Sequence, residues 1–154
     1  MPRHNNTTQH DMNMNTLFER KEAAHLESER LNDSSPCTLV AFCTVTGRPF
    51  EEVQNELKRM GREPERGLNV WALGWKLGFM VERTNTMPET GCLMFKHPET
   101  GQGHMVPVVN HTPVLETWEK EQNFVLVGTF RWFNFRQPKV SWFKRLVNKL
   151  KKAT

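Results

Sequence analysis

Tyrosine is missing altogether from these 154 residues, so five tryptophans and ten phenylalanines supply the aromatic volume. Cysteine is scarce. The three present, Cys37, Cys43 and Cys92, are an odd number, and no two are spaced as C-x-x-C. That argues against a disulfide framework and against a zinc knuckle, and the expected state is three free thiols in a reducing compartment. No metal and no cofactor is expected. No stretch approaches the roughly 20 apolar residues of a membrane-spanning helix, and the polar N-terminus lacks the apolar core of a signal peptide. The expected location is a cytoplasm, unless another machine carries the protein out. No internal repeat is visible. Hydrophobic residues make up only 37%, so part of the length is expected to be tail, and the rest suits one domain with a single core.

Acidic residues are missing from one end. Residues 138–154 hold six Lys or Arg and no acid. The whole chain has 21 basic and 17 acidic residues, so removing those six leaves 15 against 17, a net of −2, while the full chain carries +4. The basic character belongs to an appendage and not to the domain, which weakens any nucleic-acid reading of the domain.

Along the chain, residues 1–15 are polar, nearly without aliphatics, and expected to be disordered. Thr16-x-x-Glu19 has the form of a capping box, and the charged run to Leu31 then reads as an exposed helix. "NDSSP" (32–36) breaks it. "CTLVAFCTVTG" (37–47) has β-branched content, but its setting favours a deeply buried helix: Ser34 or Ser35 can cap, Pro36 fits the first turn and Gly47 fits a stop. "RPFEEVQNELKRMG" is a helix with the stripe Phe50, Val53, Leu57, Met60, and Asn69 can cap a third, "VWALGWKLG". From Phe79 the pattern switches to strands: "FMVERTN", "GCLMFKH", "GHMVPVVN", "VLET" and "NFVLVGTFRWFNF". Helices first and then a largely antiparallel sheet predict an α+β fold. The expected units are 1–31, a polar tail and exposed helix; 32–137, the domain; and 138–154, the basic tail.

Chemistry centres on Cys37. A thiolate attacks and a thiol does not, and the unpaired N–H groups of a helix N-terminus favour the thiolate. Cys37 stands at such a start, whereas Cys43 lies mid-helix and Cys92 mid-strand, where small core hydrophobes belong. A buried Cys37 is the competing reading. A nucleophilic cysteine needs a base. Of six histidines, His4 and His10 lie in the tail, His25 on the charged helix, and His97 and His111 in turns. His104 opens an apolar strand directly after Gly103 and can face a cleft. The group that orients its imidazole must accept a hydrogen bond from the far ring nitrogen. Glu116, on the returning strand, is the first choice and Asn110 the second. Oxyanion donors are the Cys37 N–H and, from the incoming loop, the Asn32 amide.

The ordered set resembles the papain-like cysteine peptidase superfamily, and more closely its small C39-like members of bacteria and tailed phages. The likeness rests on "CTLVAFCTVTGRPFEEVQNELKRMGR", on "G-x-x-x-W-x-L" at Gly67–Leu73, on "GH" opening an apolar strand, and on Glu116-Thr117-Trp118. It covers about residues 32–130. It implies a papain-like domain and a thiol hydrolase that cleaves a peptide, isopeptide or similar acyl bond: Cys37 attacks, His104 shuttles the proton, Glu116 orients it and Asn32 assists. The alternative is a catalytically inactive papain-like module serving as a phage virion or host-interaction protein.

In residues 141–152, Trp142, Phe143, Leu146, Val147 and Leu150 fall on one side of a helical wheel and Lys144, Arg145, Lys149, Lys151 and Lys152 on the other. Such a helix either packs on the protein's own sheet or contacts a membrane surface, a partner or a virion shell. Nucleic acid ranks third, because no base-stacking platform accompanies the charge.

Overall fold

The computed structural model describes residues 13–136. Among these residues, five helices and a five-stranded antiparallel sheet make an α+β fold: α1 (Met14–Arg30), α2 (Cys37–Thr46), α3 (Phe50–Arg59), α4 (Val70–Leu77), β1 (Met80–Thr84), β2 (Thr90–Lys96), β3 (Gly103–Val109), β4 (Thr112–Pro113), α5 (Thr117–Lys120) and β5 (Val125–Phe133). The polar segment 1–12 and the amphipathic stretch expected over 141–152 lie outside the described residues.

α2 is the hub. Every residue from Thr38 to Val45 is buried, as expected of a helix that is apolar on all sides. It packs on α1, α3 and β3. Gly47 ends it with φ +77°, a left-handed conformation glycine adopts without cost. The start differs from expectation. Pro36 is the N-cap, not Ser34 or Ser35, and it offers no side-chain hydrogen bond.

α1 also departs from the exposed helix read in the sequence. It begins earlier, where Asn13 Oδ1 accepts the Thr16 N–H at 3.0 Å, so Thr16 is capped and does not cap. Leu17, Lys21, Ala24 and Ser28 form a buried stripe at helical spacing, and Leu17 and Ala24 belong to the main core. α3 buries Phe50, Val53 and Leu57, but Met60 is its exposed C-cap. α4 starts as expected, with Asn69 Oδ1 accepting the Ala72 N–H at 2.8 Å.

The sheet order is β1-β5-β2-β3-β4. β2 and β5 meet so closely at Gly91 that a Cβ there would sit 1.9 Å from the Phe130 carbonyl oxygen. The strand expected at "VLET" is not formed. β4 is only Thr112–Pro113; Val114 turns into the core, and Glu116 becomes the N-cap of α5 in a reciprocal capping box with Glu119. Local cap chemistry overrides the β propensity of Val and Thr there.

Candidate active site

A cleft of about 540 Å³ is walled by the loop into α2, the loop before α4, the β2 and β3 ends, and the α5 region. Cys37 and His104 both line it.

Cys37 is the first residue of α2, where the first-turn N–H groups have no intrahelical carbonyl to pair with. It is partly exposed, while Cys43 and Cys92 are buried. Burial pushes the Cys43 thiol up to about 12, and burial likewise raises Cys92, only partly offset by the neighbouring Trp132 indole. Two sets of hydrogen bonds fix the Cys37 wall. Thr38 Oγ1 donates to the Leu68 carbonyl at 2.9 Å. Behind the loop, Asp33 takes a two-pronged hydrogen bond from Arg62 at 2.7 and 3.0 Å, and Arg62 also donates to the Ser35 carbonyl at 2.9 Å.

His104 opens β3 and is 13% exposed. Its ring stacks on Phe124 at 4.9 Å and meets Trp118 edge-on at 5.5 Å. Its Nε2 lies 2.5 Å from Glu119 Oε2. Glu119, not Glu116, is therefore the carboxylate on His104. Glu119 sits on α5, one helical turn beyond the residue favoured from the sequence. Its side chain is fully buried, and both oxygens are used: Oε2 faces His104, while Oε1 accepts from Lys21 Nζ and from the Glu116 N–H. Burial alone raises the Glu119 carboxyl. The His104 and Lys21 interactions and the Glu116 N–H outweigh that, so it titrates below the ordinary glutamate range. An ionised carboxylate only accepts hydrogen bonds, so in this pair His104 Nε2 is the donor and Nδ1 is the ring nitrogen left for another partner.

Glu116 has another place. As the α5 N-cap it lies 3.6 Å from Lys21 Nζ and 3.8 Å from His25 Nε2 through its Oε1. Asn32 is an exposed turn residue at the end of α1, with φ +57° and its N–H given to the Glu29 carbonyl. It does not line the cleft. Asn110 is in the β3–β4 turn, at the far end of the strand from His104. The amide side chains that do line the cleft are Gln102 and Gln122.

Among the described residues no hydrogen bond joins Cys37 to His104; they face the cleft from two walls. Such bonds often tighten only once substrate is held. His97 also lines the cleft, but its Nδ1 is occupied by the Glu99 and Thr100 N–H groups at 3.2 and 3.3 Å. His25, read from the sequence as a surface residue, reaches the same cleft from α1, and burial lowers its pKa. No group of three or more His, Cys, Asp or Glu side chains suited to a metal ion occurs among the described residues. Nor is any helix among them long and apolar enough to cross a membrane.

No family model, no curated protein and no solved structure matches this chain.

Proposed function

We propose that the chain is a small thiol hydrolase of the papain-like kind, acting on a peptide, isopeptide or similar acyl bond. One observation carries the reading: a partly exposed cysteine at a helix start shares a cleft with a histidine held by a buried, ionised glutamate. The Cys37 thiol gives its proton to His104 Nδ1 and the sulfur attacks the carbonyl carbon. Glu119 stabilises the imidazolium that forms. The tetrahedral oxyanion faces the Cys37 N–H and the amides of the cleft. His104 returns the proton to the leaving group, and an acyl-thioester remains on Cys37. Water, deprotonated by His104, attacks the thioester carbonyl, and sulfur leaves and regains its proton.

The cleft also supports a substrate class. Among the described residues no Asp, Glu, Lys or Arg lines it, although a quarter of the chain is charged. Leu68, Met94 and Trp118 supply apolar surface. Such a lining suits an uncharged segment around the scissile bond.

A second reading rests on the absence of a direct Cys37–His104 hydrogen bond and on the exposure of Trp71 and Trp75: a binding module with the cleft but without the chemistry. A peptidyl acyloxymethyl ketone with neutral apolar side chains separates them. The hydrolase alkylates at Cys37 and loses that reaction in His104→Ala. A wild-type rate equal to that of a free thiol overturns the enzyme reading.

A further inference from the structure

We propose that Lys21 is a positioning residue that sets the tautomer of His104 by keeping Glu119 ionised. Lys21 lies on α1, remote in sequence from every residue of the cleft's chemistry, yet it is 1% exposed. Its ammonium donates to two acceptors, the Val114 carbonyl at 2.7 Å and Glu119 Oε1, and is ion-paired with Glu116 Oε1 at 3.6 Å. These hold α1 against the segment that enters α5. The pair also faces inward to a titratable ring, because the other oxygen of the same carboxylate is on His104 Nε2.

The consequence follows from donor and acceptor counting. A charged Glu119 accepts, so Nε2 must donate and Nδ1 is left basic. A protonated Glu119 can donate instead. Nε2 then accepts, the proton moves to Nδ1, and the ring cannot take a proton from a thiol on that side. Without Lys21, the fully buried carboxyl keeps only His104 and the Glu116 N–H, and burial favours its neutral form. The other ionisable groups around the pair are His25 on α1 and Glu116 on α5, with Glu22 and Lys120 lining the groove beyond Glu116. A carboxyl group cannot supply a cation, and burial favours the neutral form of His25, so neither Glu116 nor His25 replaces the cation at position 21.

The proposal rests on the thiol-hydrolase reading only for its effect at Cys37; the tautomer is observable without any reaction. The test is imidazole ¹⁵N NMR on the full chain, wild type beside Lys21→Met and Lys21→Gln. The wild type should show neutral His104 as the Nε2–H tautomer. Both variants should shift it largely to Nδ1–H, because Gln keeps a donor but not the charge. Alkylation of Cys37 should fall at least about tenfold in both, since a wrong tautomer costs a triad hydrolase up to about 10⁴. If Lys21→Gln keeps the wild-type tautomer, the charge is not what matters and the proposal fails. Should the variants not fold, the wild type still decides, because an Nδ1–H ring there overturns it. A tautomer shift without any change at Cys37 leaves Lys21 in this role and counts against the hydrolase reading instead.

Discussion

Two buried ion pairs flank the cleft, and they end differently. Arg62 and Asp33 are almost completely hidden and close on themselves: the guanidinium fork fits the carboxylate, Gln54 Nε2 adds a third hydrogen bond at 3.0 Å, and the Ser35 backbone pairs with both, its carbonyl accepting from Arg62 and its N–H donating to Asp33. Lys21 and Glu119 are as deeply buried, but their network runs on to an imidazole at the cleft wall. Both charges are paired, as buried charges must be, although Arg62 Nε has no hydrogen-bond partner. Burial and charge pairing therefore do not distinguish scaffold from site. The residue at which the network stops does so: in one case a loop backbone, in the other an imidazole at the cleft wall.

The comparison breaks most sharply at the base. Replacing His104 by Ala should slow hydrolysis of an activated acyl substrate by about 10²–10⁴-fold, the span of a lost general base. Arg62→Met should leave that rate within a few-fold of wild type. A rate loss of similar size from both would mean the two networks are not different in kind.

Stability should run the other way. Arg62→Met strands Asp33 without its cation, and removing one partner of a buried pair costs about 3–5 kcal/mol. A urea melt reads this directly. His104→Ala leaves Lys21 on Glu119 and should cost clearly less.

Acid sharpens the contrast further. Burial holds the folded His25 below its usual pKa, so acidification through about 6.5 destabilises the fold as the unfolded chain takes the proton first. The Glu119 carboxyl is also depressed. Its stabilisation is fully present above about 4.3, the unfolded glutamate value, and is lost as pH falls through the lower folded value. Melting midpoints against pH should thus fall in two stages. His25→Gln should flatten the upper stage and Glu119→Gln the lower.

The helical order, the caps at Asn69 and Gly47 and four of the five strands were legible because each rests on local pattern. So were Cys37 and His104 as residues of one cleft, since a helix start and a glycine-led strand start can be read in sequence. Glu119 was not. "VLETWEK" offers Val, Thr and Trp to a strand, and only the Glu116–Glu119 reciprocal cap and the buried Val114 turn it into a helix. Lys21 escaped because α1 has a weak apolar face on which a lysine occupies a core position. The available signal was the spacing Leu17, Lys21, Ala24, Ser28, a helical stripe with one cation in it. Tertiary pairing across 98 residues of chain, Lys21 to Glu119, has no local trace.

The smallest effect belongs to Asn32. Its φ of +57° suits glycine, so Asn32→Gly should change stability by less than about 1 kcal/mol and leave hydrolysis untouched. A large loss of rate would restore it as an oxyanion donor.

The central claim, that His104 and Glu119 serve Cys37, is tested most directly by competitive iodoacetamide labelling near neutral pH with the three cysteines followed separately by peptide mass spectrometry. The account predicts Cys37 labelled well ahead of Cys43 and Cys92 in the native protein, and that lead lost in both His104→Ala and Glu119→Gln while the fold survives. Equal Cys37 rates in the wild type and both variants would contradict it.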